Sequence, residues 1–533
     1  MIFRENGKSY NFFHHKFMMT ILSLLPILSL LVLLVFVKTS VARAGGISLA
    51  IALCIALVFF GLPFFGLSVA VGKALWLALF VSLIVWGALF LYHLVSDFGA
   101  IDVINKNIMI FVKDKFAAFL LLAWLFTGLL QGIAGFGVPV VIVTPILIAI
   151  GFNPIKSLAA TLLGHSWAVT FGSMGAAFFV IQGLTGIPKA ELGVPMWMFN
   201  TVTHLLTGIG VCWLYDGFKG VRKGLAYVLP VSLVMATVQY FTITAEMYSL
   251  ATLNTAFVGL VAMFLLYKLR TRGKEEKTES KFYKDKLNLW QAIFPYALIL
   301  ILLLSFQLIP TAIRDVVSVA PNFSGFETSL GHTVAEVTRY NPIRLFVHPV
   351  FVLLIASAAA IFIYKRTKGV WSTDIFRGAV QKTVSKGIPA TLALLALGNM
   401  SLIMMESGMT TQLAYAFADL TGRFFPLFSP FLGVLSSFLT GNNTNANVLF
   451  GTFQYAIACR LEISTAVMVA SQSLSGALGV TIGPTLVLMG ALASDQVGKE
   501  SIILKKLIPI VLLIALVMGI VNYILSEVLR YGV

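Results

Sequence analysis

Two short stretches of small and polar residues interrupt long apolar parts of the chain. One is QGIAGFGVP at residues 131–139, and the other is TGNNTNAN at residues 440–447, in the other half of the sequence. Glycine and proline interrupt helices and free backbone N–H and C=O groups. Inside a membrane those groups must be satisfied by protein, water or ligand, so both stretches predict a polar cavity. Interruptions at corresponding places in two halves of a membrane protein point to a binding site.

A broken helix offers two kinds of contact to a small ligand. Free N–H groups at the start of a half-helix attract a carboxylate, and free carbonyl groups at the end of one suit a cation. The alternative is that the glycines only let helices pack closely. That alternative is weaker for the second stretch, because four asparagines within six residues are costly in lipid unless they are bound. The predicted substrate-binding residues of the two stretches are Gln131, Gly132, Gly135, Gly137, Thr440, Gly441, Asn442, Asn443, Thr444 and Asn447.

A second polar stretch follows each interruption at a similar distance. In the first half it contains His165 and Ser166, and in the second half it contains Gln472 and Ser473. We predict that Ser166, Gln472 and Ser473 bind substrate. His165 is the predicted coupling residue, because histidine exchanges a proton near neutral pH; the alternative is a hydrogen-bonded core histidine. The parallel order of these stretches indicates an internal repeat.

Other ionisable residues close to apolar segments carry weaker predictions. His204 has no motif around it and is expected to be a core histidine. Glu406 ends a predicted span beside Ser407 and Gly408, so we expect it at the membrane interface. Arg344 lies at the start of a span, where its side chain is expected to reach the membrane surface.

The elements that must position these residues are membrane-spanning helices. The chain has 533 residues, of which 59% are apolar and only 11% are charged, whereas soluble domains carry about 25% charged residues. No Asp, Glu, Lys or Arg occurs between Lys115 and Lys156, and a bilayer core needs roughly 20 apolar residues per helix. We predict an all-α integral membrane protein with about 12–14 transmembrane helices, some of them broken or followed by a re-entrant segment. Residues 196–214 and 224–243 are predicted as separate spans.

The distribution of basic residues predicts the orientation of the chain. Segment 268–286 holds eight Lys or Arg residues, 365–386 holds six and 216–223 holds three. Two spans separate each loop from the next, so all three share one side, which the positive-inside rule places in the cytoplasm. We therefore predict a multi-pass protein of the cell membrane. Its predicted parts are an N-terminal half at residues 1–267, a basic cytoplasmic linker at 268–288 and a C-terminal half at 289–533.

The N-terminal region combines a polar start with an apolar run from Ile21 to Val37, followed by Ala42-Arg43-Ala44. This pattern resembles a secretory signal with a cleavage site of small residues. The apolar run is long for a signal, and many further spans follow. We therefore predict that it forms an uncleaved first helix.

Composition and motifs exclude several classes of function. A net charge of +16 would suggest nucleic-acid binding in a soluble protein, but cytoplasmic loops account for it here, so no nucleic acid is expected. The sequence has no HExxH or GxSxG motif, no paired carboxylates in a span and no P-loop, so neither an enzyme nor a primary pump is predicted. No cofactor and no metal site are expected, and the three cysteines form no ligand pattern. A channel stays open as an alternative, which saturable, gradient-driven uptake would separate from a carrier.

At these motifs the sequence resembles the L-lactate permease family. The resemblance runs through most of the chain in order, and its motifs are long and specific. The residues that carry it in the first half are Gly132, Ala134-Gly135-Phe136-Gly137, Pro139, Gly151-Phe152, Phe171-Gly172, Met174-Gly175 and Thr185-Gly186. Those in the second half are Ser407-Gly408, Phe428 to Gly433, Phe438 to Gly441, Thr444, Asn447, Leu449-Phe450, Pro484 and Val497 to Ser501.

The resemblance implies a secondary active transporter. It implies uptake of lactate, and often glycolate, together with a proton. It also implies two inverted repeats with two re-entrant hairpins and an elevator-like movement. The expected partners are a small organic anion, a proton or a sodium ion as the coupling ion, and the lipid bilayer. A homodimer is one expected oligomeric state.

Four positions depart from the usual pattern of the family. Gln131 stands where the family usually has Glu, and Asn443 stands where it has Asp. Val480 stands where it has Lys, and His165 where it has Asn. A proton carrier needs a group that titrates, and a lone anion favours a fixed cation, so these changes leave coupling ion and substrate open. The alternative is a sodium-coupled or uncoupled carrier of another organic anion, either a different hydroxy acid or a sulfonate.

Overall fold

The computed structural model describes residues 3–37, 39–111, 114–133, 135, 137–271, 286–307, 317–344 and 348–530. It is nearly all helical, with 83% of residues in helices, which confirms the predicted fold class. Most of the predicted linker at 268–288 lies outside the described residues, as do Ala134 and Phe136 of the first interruption.

The helices follow one another along the whole chain and are numbered in order among the described residues. The first ten are α1 (Phe3–Val35), α2 (Val41–Val58), α3 (Phe64–Asp97), α4 (Ala100–Phe111), α5 (Lys115–Ile133), α6 (Val138–Ala149), α7 (Pro154–Gly164), α8 (Gly172–Thr185), α9 (Lys189–Thr244) and α10 (Ala251–Thr271). The next nine are α11 (Leu289–Gln307), α12 (Pro349–Arg366), α13 (Thr373–Glu406), α14 (Met409–Thr421), α15 (Phe425–Thr440), α16 (Asn443–Leu461), α17 (Thr465–Gly479), α18 (Pro484–Ala493) and α19 (Glu500–Arg530).

Eleven helices of the described residues are long and apolar enough to cross a membrane, or 12 if the bent pair α7 and α8 is one span. Helix α9 would be about 84 Å long if straight, far more than a bilayer core of about 30 Å. It turns back at Asp216 and Gly217, whose backbones are not helical. A side chain at Gly224 would collide with Cys212, so the two arms lie side by side. The separate spans predicted at 196–214 and 224–243 are therefore confirmed.

Residues 317–344, which we call the strap, hold the strands of the described part of the chain. These are β1 (Ser318–Val319), β2 (Phe326–Glu327), β3 (Thr333–Val334) and β4 (Ile343–Arg344), with β1 antiparallel to β4 and β2 antiparallel to β3. These four two-residue strands were not predicted from the sequence. The strap lies between apolar helices and is too polar to enter lipid, so short strand pairs satisfy its backbone instead.

Helices α3 and α13 form a long antiparallel pair that joins the two halves of the chain. Trp86 Nε1 donates to Thr391 Oγ1 at 3.0 Å, and Lys382 Nζ lies 2.7 Å from an oxygen of Asp97. The strap covers the other end of the pair. Its Ser329 N–H donates to the carbonyl of Gly61, just before α3, at 3.0 Å.

Helix α13 begins earlier than the sequence predicted. The Ser372 hydroxyl caps it by accepting from the Ile375 N–H at 3.4 Å, and Asp374 lies in the first turn, where a negative charge is favourable. Lys382 and Lys386 were counted with the loop at 365–386, but both are residues of this helix. That change of position brings Lys386 to the cavity described below.

The orientation of the molecule can be tested by labelling two exposed positions, Lys368 before α13 and Glu336 in the strap. With the three native cysteines replaced by serine, Lys368→Cys should resist a membrane-impermeant thiol reagent in intact cells, because positive loops stay in the cytoplasm. Glu336→Cys should react. Both should react after permeabilisation, and labelling of Lys368→Cys alone in intact cells would reverse the predicted orientation.

Candidate binding cavity

The first interruption separates α5 from α6. Gly137 precedes α6 with φ at 86°, a left-handed backbone that glycine adopts without steric cost. The N–H of Gly135 donates to Ser173 Oγ at 2.7 Å, so the break is held by a residue of α8. Position 172 must also lack a side chain, because a Cβ on Gly172 would lie 2.8 Å from Gln131 Nε2.

A second break lies between α7 and α8, whose axes differ by 54°. A short 3-10 turn at Ser166–Ala168 connects them, and Ser173 and Met174 adopt left-handed backbones with φ at 46° and 55°. His165 lies at the end of α7, buried, with Nδ1 3.0 Å from the carbonyl oxygen of Thr161.

The second interruption separates α15 from α16. Gly441 ends α15 with φ at 78°, and Asn442 caps α16 by accepting from the Asn445 N–H at 2.8 Å. The N–H groups of Asn443 and Thr444 begin α16 and have no acceptor within the helix. A further break follows at the 3-10 turn Val480–Ile482 between α17 and α18. Each half thus holds two breaks in the same order, as an internal repeat would produce.

Hydrogen bonds tie the breaks of the two halves together. Thr170 Oγ1 donates to the carbonyl of Ser473 at 3.1 Å and accepts from Asn443 Nδ2 at 3.3 Å. Asn447 Nδ2 donates to the carbonyl of Ala177 at 3.1 Å and to Ser473 Oγ at 2.9 Å. The polar groups that the breaks release therefore satisfy one another across the two halves.

A cavity of about 690 Å³ lies between the two interruptions, and we call it the first cavity. Its volume is within the range of about 300–1,000 Å³ that is typical of small-molecule sites. The predicted site residues that line it are Gln131, Gly137, His165, Thr440, Gly441, Asn442, Asn443 and Thr444.

Six predicted site residues do not line the first cavity but lie behind its wall. They are Gly132, Gly135, Ser166, Asn447, Gln472 and Ser473. Gln472, for example, is buried in a network inside the helix bundle, where its Oε1 accepts from Gln454 Nε2 at 2.6 Å. These residues hold the breaks in place rather than facing the cavity.

The four positions at which the resemblance implies a different usual residue all line the first cavity. They are Gln131, His165, Asn443 and Val480. Gln131 Oε1 and Asn443 Oδ1 are buried acceptors without a hydrogen-bond partner among the described residues. The wall that the broken helices form is therefore polar but carries no fixed charge.

Two cations that sequence reasoning missed complete the lining. Arg43 of α2 and Lys386 of α13 are the charged residues among those that line the first cavity. Neither has an acidic partner within the described part of the chain. Helix α2 is held against α13 where Gly45 meets Ala396, since a Cβ there would lie 3.1 Å from it. In the sequence Arg43 belongs only to a signal-like pattern, so no local feature indicates its position at the cavity.

Known relatives match this chain over nearly their whole lengths. The glycolate permease of Escherichia coli (strain K12) is 27% identical over 535 residues, which cover 94% of each chain. The L-lactate permease of Salmonella typhimurium is 26% identical over 541 residues, and that of Bacillus subtilis (strain 168) is 26% identical over 551 residues. Both matches cover 96% of this chain and of the relative.

Among solved structures, the YdaH transporter of Alcanivorax borkumensis resembles this chain with a TM-score of 0.47 and 14% identity, over 85% of this chain and 86% of that one. A family model described as L-lactate permease matches residues 19–529. That range contains both interruptions and every residue that lines the first cavity. This multi-pass membrane protein therefore belongs to the L-lactate permease family.

Proposed function

We propose that this protein imports a small hydroxy-acid anion, such as lactate or glycolate, across the cell membrane together with a proton. The observation that carries the proposal is the first cavity, which lies between two broken helices and has Arg43 and Lys386 as its charged residues. Relatives named as lactate and glycolate permeases support the substrate class.

The carboxylate of the substrate has two kinds of partner in this cavity. The free N–H groups at the start of α16, on Asn443 and Thr444, are favourable for an anion. Arg43 and Lys386 add positive charge from α2 and α13. Arginine and lysine both bind carboxylates, and arginine can do so with two parallel hydrogen bonds. The negative charge of an anion held between these groups is therefore compensated, although the broken helices carry no charged side chain.

The hydroxyl group of the substrate needs an acceptor, and Gln131 supplies one. Its Oε1 is buried and has no partner among the residues that the structure describes. A buried acceptor left unpaired costs about 1–3 kcal/mol. A 2-hydroxy acid would satisfy it, whereas an acid without the hydroxyl would not, and this difference favours hydroxy acids.

His165 is the proposed coupling residue. It lines the first cavity and holds one ring nitrogen 3.0 Å from the carbonyl of Thr161, which leaves the other nitrogen for a proton exchanged with the cavity. An anion bound nearby favours the protonated ring. Proton and anion would then be loaded together.

Replacing His165 with asparagine, the usual residue of the family, should weaken proton-driven accumulation more than it weakens exchange of substrate. Exchange needs the anion site but no net proton movement. The measurement is uptake and exchange of labelled lactate and glycolate by reconstituted vesicles under an imposed proton gradient. Accumulation by His165→Asn equal to that of the wild type would remove His165 from the coupling role.

A sodium-coupled carrier is the second candidate function, because two unpaired oxygens, one of Asn443 and one of Ser437, lie beside Gly476. Asn443 Oδ1 and Ser437 Oγ are buried without a partner among the described residues. Both lie beside Gly476, where a Cβ would be 3.3 Å from the hydroxyl and would collide with the amide oxygen. Oxygen ligands of this kind suit a hard cation. Uptake driven by a sodium gradient alone, and lost in Ser437→Ala, would favour this function over the proton.

A further inference from the structure

A buried ion pair joins α3 to α13 far from the first cavity. Lys73 Nζ lies 2.8 Å from Glu406 Oε1, and the two side chains are only 5% and 2% exposed. Of all the Asp, Glu, Lys and Arg side chains that the structure describes, Lys73 and Glu406 are the ones that are buried. Glu406, which the sequence predicts at the membrane interface, ends α13 and is buried there, because the strap and neighbouring helices cover the end of that helix. Charges are costly to bury, so such a pair inside a membrane protein calls for a function.

Only one of the two carboxylate oxygens of Glu406 has a hydrogen-bond partner among the described residues. Its Oε1 accepts from Lys73, whereas Oε2 is buried without a hydrogen-bond partner in the described part of the chain. An unpaired carboxylate oxygen in such a place can be satisfied either by a donor or by a proton. Glu406 is the acceptor of Lys73 among the residues that the structure describes, so protonation of the acid would release the lysine.

Both side chains line a second cavity of about 550 Å³. This cavity lies at the far end of α13 from the first one, because Lys386 and Glu406 are about 30 Å apart along the helix at 1.5 Å per residue. Helix α16 reaches both cavities, with Asn443 at the first and Tyr455 at the second. The second cavity is therefore on the side of the strap, which the charge pattern predicts to be external.

Every element around the second cavity contributes titratable or charged groups. The charged or imidazole groups besides the pair are His332 of the strap, Arg460 of α16 and Glu462. The weakly acidic groups are Tyr415, Tyr455 and Cys459. Burial raises the pKa of Tyr340 in the strap, and the charge of Glu406 raises it further. Arg460 is already paired with the exposed Asp419 at 3.4 Å, so Lys73 is the cation that protonation of Glu406 would set free.

We propose that Lys73 and Glu406 form a pH-gated recruiting site for the organic anion in the second cavity. This inference rests on the proposed function, since it assumes import of an anion from the side of the strap. At high external pH the two side chains neutralise each other, and the described residues that line the cavity offer the anion no free cation. A proton from water that binds Glu406 Oε2 makes that side chain neutral, and the ammonium of Lys73 then pairs with the carboxylate of the substrate. When the anion moves on, the proton leaves Glu406 and the ion pair re-forms.

The test is the half-saturation concentration for lactate in exchange, measured with purified protein in vesicles at equal pH on both sides. For the wild type it should rise with pH by up to about tenfold per pH unit for each proton that binds with the anion, one at Glu406 and one at His165. Glu406→Gln mimics the protonated acid, so its half-saturation concentration should rise with pH less steeply than that of the wild type, because only the proton of His165 then binds together with the anion. Lys73→Gln should raise it at every pH. Glu336→Gln, an exposed acid of the strap that does not line the cavity, should behave as the wild type.

The buried charges also bear on folding, so a double variant is needed. Lys73→Gln with Glu406→Gln removes both charges and leaves neither unpaired; it should fold and show a high half-saturation concentration with the same shallow pH dependence as Glu406→Gln. A pH dependence in Glu406→Gln equal to that of the wild type would overturn the recruiting site, and the proposed function would stand. Wild-type protein without gradient-driven uptake of any hydroxy acid would instead overturn the proposed function.

Discussion

Replacing Asn443 with leucine should reduce uptake to near background while leaving the amount of protein in the membrane almost unchanged. Asn443 is buried at the start of α16, lines the first cavity and donates to Thr170 at 3.3 Å. Leucine is of similar size but offers neither donor nor acceptor, so a desolvated substrate group loses its partner at about 1–3 kcal/mol. That corresponds to about a 5- to 150-fold loss of affinity. Initial uptake rates over a range of lactate concentrations measure it.

Asn522 provides a matched control for this change. It is also a fully buried asparagine with one carbonyl partner, that of Pro426 at 2.8 Å, but it belongs to α19 and does not line the first cavity. Asn522→Leu should therefore lower thermal stability without raising the half-saturation concentration. Similar kinetic losses in both variants would mean that buried asparagines matter only for folding. Asn443 would then no longer be assigned to the binding site.

Neutralising the two cations of the first cavity should raise the half-saturation concentration for the anion by about fivefold for each of Arg43→Gln and Lys386→Gln. Both side chains are exposed, so we expect the interaction to be at the weak end of the range for charges about 4 Å apart, which is about 1 kcal/mol in bulk water. Their contribution should shrink as the salt concentration rises, because salt screens exposed charges. Uptake at several ionic strengths checks both effects.

Lys382 is the control for Lys386, because it lies one turn earlier on α13 and does not line the cavity. Its ammonium is already paired with Asp97 at 2.7 Å. Lys382→Gln should leave the half-saturation concentration and its salt dependence unchanged. An equal effect of both substitutions would show that the general positive charge of this surface attracts the anion, without a specific role for Lys386.

The breaks in the helices could be predicted because they follow from local rules. Gly137 and Gly441 have the left-handed backbones that glycine favours, and Asn442 caps the helix that follows it. The turn at Asp216 and Gly217 likewise separates two apolar runs that are each long enough to span a bilayer. Such features depend on a few neighbouring residues, and a single sequence contains them.

The lining of the first cavity could not be predicted in the same way, because it depends on how distant helices pack. Gln472 and Ser473 belong to a polar stretch of the expected kind, yet the rotation of α17 directs them to Gln454, Asn447 and Thr170. Arg43 is brought to the cavity by the contact of α2 with α13, about 350 residues further along the chain.

The burial of Glu406 could not be predicted for a similar reason. Glu406 ends a helix, and a helix end usually meets water. The strap, which shows no helical pattern, folds back over that end, with His332 against Gly408. The burial of Glu406 therefore depends on contacts between segments about 75 residues apart in sequence, and no local pattern near Glu406 indicates it.

Arg43 and Lys386 lie on α2 and α13, which contribute one part of the lining of the first cavity, whereas the broken helices contribute the other. If the broken helices carry the anion while the α3 and α13 pair stays in place, neither cation travels with it. A substrate with one negative charge would then move alone against the membrane voltage, at about 2.3 kcal/mol for each 100 mV. One proton per anion removes that cost, and no electric current accompanies uptake. The sign of the electric current during uptake depends on how many cations are transported with each anion. A measurement of that current would therefore report the stoichiometry of this carrier directly.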